Sequence, residues 1–188
     1  MVGVAAVGTL ALVAALLWSL RSAPSLGDWG ATAGAAVLAG GLLAYGPLLR
    51  GLDQGREWVF LVVFVTFAAD TSAFFVGRAI GNRPLAPKTS PGKTWEGAVG
   101  GLLGAMGAGV ALTQVLGLDM TVAAALALGA LMGVVGQLGD LGESWIKRAA
   151  GIKDSGWLIP GHGGVLDRLD SIVFNLVLVY HFTIWATQ

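Results

Sequence analysis

The sequence predicts an all-α fold: a polytopic helical membrane protein with about six transmembrane helices and two polar loops on one side. Three observations lead there. Hydrophobic residues fill 55% of the 188 positions and charged residues only 12%, about half the roughly 25% usual in a soluble domain. Mean hydropathy is +0.76. Apolar runs of about 20 residues, the length that crosses ~30 Å of hydrocarbon, recur along the chain. The 11 basic and 11 acidic side chains cancel, which disfavours a surface that wraps nucleic acid. With no cysteine there is no thiolate metal site, thiol nucleophile or disulfide framework.

Residues 2–20 make the first run, free of charge; Met1 is followed by no basic segment, so a cleaved leader is a poor reading. The second, 30–49, is rich in Ala and Gly. The third, 58–76, is interrupted by Asp70. Runs 97–118 and 121–138 follow, joined by a tight turn at Asp119, and a short last run, 172–186, carries His181 near its end. With the fourth and fifth spans joined so closely, the polar loops 77–96 and 140–171 must emerge together. Arg21, Arg78, Arg83, Lys88, Lys93, Lys147, Arg148, Lys153 and Arg168 then share one side, against Arg50 and Arg56 on the other. The positive-inside rule makes the loop side cytoplasmic; the expected location is the cell's inner (plasma) membrane. Trp18, Trp29, Trp58, Trp95 and Trp185 fall at span ends, as an interfacial belt requires.

Glycine is abundant, and Gly97, Gly100, Gly101 and Gly104 recur at helical spacing. Small residues on one face let helix backbones approach closely, so these are read as packing positions.

Polar groups are costly in a membrane, so their location points to chemistry. The first loop holds Arg78, Arg83, Lys88 and Lys93 with Thr89, Ser90, Thr94 and three prolines. Cations, hydroxyls and backbone N–H groups near a helix start suit an anion cradle; the plainer alternative is an anchor for lipid headgroups. Gly92-Lys93-Thr94 is like the end of a phosphate-binding P-loop, but Pro87 stands where the first glycine is required and no strand precedes it.

In the second loop, Asp140-Leu-Gly-Glu143-Ser144-Trp-Ile-Lys147-Arg148 continues the fifth span as a helix. Its i, i+3, i+4 spacing sets Asp140, Glu143, Ser144 and Lys147 on one face. Lys153-Asp154 follows, then Pro160-Gly-His162-Gly-Gly, then Asp167-Arg168-Leu-Asp170 entering the last span. Carboxylates on two helix ends among cations suit Mg²⁺ with a polyphosphate, because Mg²⁺ takes one or two carboxylates, waters and substrate oxygens. The plain alternative is interfacial salt bridges, Asp167–Arg168 and Glu143–Lys147. Asp70 either completes this site or pairs with a polar group on a neighbouring helix such as Gln137. His162 either reaches a phosphate or the leaving group, or serves as a hydrogen-bonding fixture. His181, near the opposite interface, is read as structural.

The stretch Ser144-x-x-Lys147-Arg148-x4-Lys153-Asp154-x-Gly-x2-Ile-Pro-x-His162-Gly-Gly-Val-x-Asp167-Arg168-Leu-Asp170 resembles the signature of the phosphatidate cytidylyltransferases, the CDP-diacylglycerol synthases. Ser90-Pro-Gly-Lys-Thr-Trp-Glu-Gly97 and the segment from Asp70 to Arg78 are similar to that family too. The resemblance implies an all-helical membrane enzyme, often a homodimer in the bilayer, with its site open to the cytoplasm. It implies CTP and phosphatidic acid as substrates, Mg²⁺ as cofactor with room for a second cation, CDP-diacylglycerol and pyrophosphate as products, and no nucleic acid. Members are usually longer, so the N-terminal portion is expected to be shortened here. One integral membrane domain, 1–188, then divides into structural N-terminal spans, 1–57, and a catalytic portion, 58–188.

Carried over residue by residue, the resemblance implies Asp140 and Asp167 as metal ligands and places Ser144, Lys147, Arg148, Lys153, Asp154, His162 and Arg168 at the substrate site. A nucleotidyl-transfer mechanism built on this inventory makes Lys147, Arg168 and His162 catalytic beside the two aspartates, with Asp170 or Glu143 as further metal ligand. It adds Lys88, Ser90, Lys93, Thr94 and Asp70 to the substrate-binding set. The rival readings are a related CTP-dependent lipid enzyme (a polyprenol kinase or ether-lipid cytidylyltransferase), an anion transporter, and a noncatalytic lipid-binding scaffold. The last two fit poorly: a transporter needs charges through several spans, and a scaffold has no use for the carboxylates.

Overall fold

The computed structural model of the chain describes residues 40–149 and 170–186. The expected spans over 2–20 and most of 30–49, and residues 150–169 of the second loop, lie outside them. After a helical stretch over 40–43, the elements follow in order: α1 (Tyr45–Arg50), α2 (Gly55–Ile80), β1 (Pro84–Ala86), β2 (Ser90–Thr94), α3 (Trp95–Val115), α4 (Val122–Ala149) and α5 (Asp170–Ala186).

Gly55–Ile80, Trp95–Val115 and Val122–Ile146 are long and apolar enough to cross a membrane. At 1.5 Å per residue, the 26 residues of α2 and 28 of α4 reach roughly 39 and 42 Å, beyond the ~30 Å of hydrocarbon. Phe60, Phe64, Phe67 and Phe74 stand exposed along α2, and Leu103 and Leu131 do so on α3 and α4. An apolar exterior of that extent suits lipid rather than water.

Three boundaries differ from the hydropathy reading, each for a local reason. The run expected to continue through Leu49 is interrupted at Ala44. Pro47, three residues on, has no N–H to offer the Leu43 carbonyl, so the helical ladder skips a rung before α1 resumes. A tight turn then enters α2, where a Cβ on Gly55 would lie 2.4 Å from the Arg50 carbonyl oxygen. The fourth run ends at Val115 rather than Leu118, because Gly117 adopts φ +66°. Leu118 N–H donates to Thr113 O (3.0 Å) and Gly117 N–H to Gln114 O (3.3 Å), the paired bonds of a Schellman stop. The fifth run continues through Asp140 to Ala149 as one helix, as the sequence suggested.

The first loop is not irregular, and the described chain is not purely α. β1 and β2 pair antiparallel, Pro84 opposite Thr94 and Ala86 opposite Ser90, with the register shifting between them. Pro84, Pro87 and Pro91 forbid a helix here; Pro84 and Pro91 are tolerated in two strands that are both edges, and Pro87 lies in the turn between them.

The glycine reading is borne out. α3 lies so close on α2 that a Cβ on Gly97 would sit 2.8 Å from Ala73 O, on Gly100 2.6 Å from Val76 Cβ, and on Gly104 2.3 Å from Ser72 Oγ. Where α3 crosses α4, a Cβ on Gly129 would meet Ala105 O at 2.6 Å. α5 fills the remaining side: Val179 and Leu176 join Leu61, Val62 and Val65 of α2 and Leu128 and Met132 of α4 in one buried cluster. A polar bond crosses it, Asn175 Nδ2 donating to Thr66 Oγ1 at 2.9 Å, while the Thr66 hydroxyl donates to Val62 O at 2.7 Å. Both residues are buried. His181 packs against the rings of Tyr45 (tilted) and Tyr180 (edge-on) at the other end of α5, in keeping with a structural role.

Candidate active site

Where α2 ends, the hairpin folds back and α3 begins, a cavity of about 340 Å³ opens. Asp70, Ala73, Phe74, Gly77 and Arg78 of α2 line it, with Leu85, Gly92, Lys93 and Thr94 of the hairpin, Gly97 and Ala98 of α3, and Gln137 and Asp140 of α4. Four elements thus bring two cations and two carboxylates to one apolar-walled hollow.

The hairpin is fixed at its base. Glu96 Oε2 accepts from the backbone N–H groups of Asn82 (3.2 Å) and Arg83 (3.3 Å), and Trp95 N–H donates to Arg83 O (2.9 Å). Thr94 is the N-cap of α3: its hydroxyl oxygen accepts from Gly97 N–H at 3.1 Å. A Cβ placed on Gly77, Gly81 or Gly97 would come within 3.1 Å of that same oxygen, so the three glycines let the threonine nest between the helix ends. Two N–H groups of α3's first turn are thereby taken, Trp95's by Arg83 O and Gly97's by the Thr94 hydroxyl. Of the parts of the anion cradle that the sequence suggested, these two N–H groups already have protein acceptors, while Arg78, Lys93 and Thr94 line the cavity.

Lys93, just before the cap, forms an ion pair across the cavity with Asp140 of α4. The other Asp140 oxygen accepts from Ser144 Oγ one turn on, at 3.4 Å, as the i, i+4 spacing anticipated. Arg148, another turn along, donates from Nε to Thr89 O at the hairpin turn, 3.4 Å away. Both carboxylate oxygens of Glu143 are shielded from solvent. Gln137 does serve a neighbouring helix, but through its amide: Nε2 donates to Ala98 O at 3.0 Å. Asp70 shares the cavity with it, about 15 Å along α2 from Ile80.

Of the residues singled out from sequence, Asp70, Lys93, Thr94 and Asp140 meet at the cavity, and Ser144 and Arg148 lie beside it. Lys88 and Ser90 belong to the hairpin but do not line the cavity. Lys153, Asp154, His162, Asp167 and Arg168 lie outside the described residues; Lys147 belongs to α4, and Asp170 begins α5. Not anticipated were the wall formed by Phe74, Leu85 and Ala98 and the anchoring of Gln137. The available signal was one polar amide in an otherwise apolar run.

Among the described residues no three His, Asp or Glu side chains gather as a ready metal cage. The fit to Mg²⁺ rests instead on Asp140, whose carboxylate already holds a cation in Lys93 at the mouth of a cavity with room for phosphate oxygens. One or two carboxylates suffice for Mg²⁺ in the presence of substrate oxygens.

Known proteins resemble the chain in sequence. A Brucella abortus protein named phosphatidate cytidylyltransferase is 44% identical over 140 residues, covering 72% of this chain and 50% of its own length. A Pseudomonas aeruginosa protein of that name is 38% identical over 192 residues, 95% of this chain and 70% of the relative. A chloroplastic Arabidopsis thaliana one is 49% identical over 153 residues, 79% of this chain and 38% of the relative. The chain spans about half the length of the first of these. A sequence profile described as the cytidylyltransferase family matches residues 2–185, nearly the whole chain. On that match, the chain belongs to the cytidylyltransferase family.

Proposed function

We propose that the chain is a phosphatidate cytidylyltransferase, moving the cytidylyl group of CTP onto phosphatidic acid to give CDP-diacylglycerol and pyrophosphate. The observation that carries the reading is the cavity itself: Lys93, Arg78 and Thr94 facing Asp140 where apolar helices end. A lipid phosphate and a nucleotide phosphate both need such a place, with acyl chains left among the helices. A phosphatidate oxygen attacks the α-phosphorus of CTP, the bond to the bridging oxygen breaks, and pyrophosphate leaves in line. The nucleophile needs no strong base, since a phosphate monoester loses its second proton near pH ~6. The protein must supply alignment and charge neutralisation.

In this reading Asp140 and Asp167 hold Mg²⁺, with Asp170 or Glu143 beside them. Bound there, Mg²⁺ neutralises charge on the nucleotide phosphates; a second cation is compatible with the same carboxylates. Lys147, Arg148, Lys153 and Arg168 divide the phosphates of CTP and phosphatidate, with Ser144, Asp154 and His162 among them. Lys93 and Thr94 form the opposite wall with Asp70, and Lys88 and Ser90 add to the substrate contacts from the part of the hairpin outside the cavity. The chain crosses the inner membrane six times as a single domain, residues 58–188 carrying the chemistry on the cytoplasmic side, and it works as a homodimer.

The test is an assay in detergent micelles with phosphatidic acid, Mg²⁺ and CTP labelled at the α-phosphate. Label is expected in the lipid phase and lost on adding EDTA. Label that stays aqueous, with transfer from γ-labelled CTP to a polyprenol instead, would replace the proposal by a lipid kinase.

A further inference from the structure

Lys93 stands against the carboxylate proposed to hold the metal, and both line one cavity. We propose that Lys93 is an internal counterion of Asp140, displaced by the divalent cation and released by that exchange to the phosphates of the nucleotide. The inference rests on the reading of Asp140 as a metal ligand and adds to it an ordered trade of partners.

The geometry favours exchange over a permanent bridge. The Lys93 and Asp140 side chains are 28% and 30% exposed, so water screens the pair and neither charge is locked in by burial. A lone ammonium competes poorly with a divalent ion for a carboxylate, because the attraction scales with charge. Asp140 is not left adrift when the ammonium departs, since Ser144 Oγ holds its other oxygen from the same helix. Lys93 is equally well placed to leave. Its backbone is fixed by the hairpin and by the Thr94 cap, while its flexible stem and three rotatable donors can swing through the cavity. Arg78, also lining the cavity, leaves an incoming polyphosphate bracketed by two cations once Lys93 turns away. The exchange makes empty-site metal affinity weaker than the carboxylates alone would give. It thereby links metal binding to nucleotide binding, and such a linkage is reciprocal.

The experiment measures Mn²⁺ alone binding to the full chain in detergent, without nucleotide, by the free-ion electron paramagnetic resonance signal. Removing the competing ammonium in Lys93→Met is expected to tighten Mn²⁺ on the order of tenfold, within the span of ordinary coupling energies. Lys93→Arg, which keeps a cation against Asp140, is expected to bind as the parent does. Lys93→Gln, still able to hydrogen-bond the carboxylate, should tighten binding as well and stands in if the Met variant does not fold. Unchanged or weaker Mn²⁺ binding in folded Met and Gln variants overturns the exchange. Asp140→Asn separates the two levels: if it binds Mn²⁺ as tightly as the parent, the metal-ligand reading itself is wrong. If it loses Mn²⁺ while the Lys93 variants do not tighten, only the exchange fails.

Discussion

Substituting Gly100 by alanine adds one methyl group within the close α2–α3 contact. That methyl would lie 2.6 Å from both Cβ and Cγ2 of Val76 and 2.9 Å from Cγ1. Carbon pairs rest at about 3.5–4.0 Å, so the shortfall is roughly 1 Å. Val76 cannot swing aside, because a β-branched residue in a helix is held to one rotamer. The helices must part instead, and overpacking of this kind costs about 1–3 kcal/mol. Gly107 on the same helix has nothing within 4 Å of its built Cβ. Gly107→Ala therefore shares the helix-propensity gain of about 1 kcal/mol without the overlap, and the difference between the two variants isolates the packing cost. Equilibrium unfolding in mixed micelles of rising SDS content measures it. Because α3 carries the cap and the hairpin, a shift near 1 Å should also reduce turnover by up to about 10²-fold in Gly100→Ala. Val76→Gly in the Gly100→Ala background should recover at least half the stability lost. Equal unfolding midpoints for Gly100→Ala and Gly107→Ala would refute the close-packing argument.

Asp140→Asn should abolish cytidylyl transfer while the protein still inserts and purifies like the parent. Arg56→Ala is the matched control and should be nearly silent: Arg56 is exposed at the far end of α2, paired only with neighbouring Glu57 among the described residues. Thr94→Val keeps the shape but removes the cap on Gly97 N–H, and should cost about 1 kcal/mol of stability with a loss of turnover. Thr94→Ser keeps the cap and should stay within a few tenths of a kcal/mol of the parent.

Much of the fold was legible because a membrane imposes a simple rule on composition. Long apolar runs gave the third to fifth spans, and the spacing of Gly97, Gly100, Gly101 and Gly104 gave the helix contact that the structure contains. What hydropathy does not see are backbone events. Pro47 and Gly117 moved two boundaries by removing a donor or adopting a left-handed turn, and neither alters an apolar average. The hairpin was missed for a related reason: Ser90–Thr94 is too polar, and broken by Pro91, to read as a strand, and the Glu96 bonds that hold its base join residues 13 and 14 positions apart. For the site, residue type identified Asp140, Lys93 and Thr94. It did not reveal that Lys93 and Asp140, 47 positions apart in sequence, are partners. Nor did it reveal that the Thr94 hydroxyl already has a structural use. Pairings of that kind depend on how helices stack, which one sequence does not state.

The clamp at the foot of the hairpin also sorts where the chain can change length. Glu96 and Thr94 bind backbone N–H groups, not side chains, so what they demand is spacing: Asn82 and Arg83 must arrive opposite α3's first turn whatever residues stand between. Adding or deleting one residue at 82–83 or 94–96 would turn a whole helix end by about 100° and point Lys93 away from α4. At the turn around Pro87 and Lys88, both exposed, extra residues would cost only loop entropy, about 0.6 kcal/mol per doubling of length. Length variation among relatives should therefore gather at the tip of the hairpin and vanish at its foot.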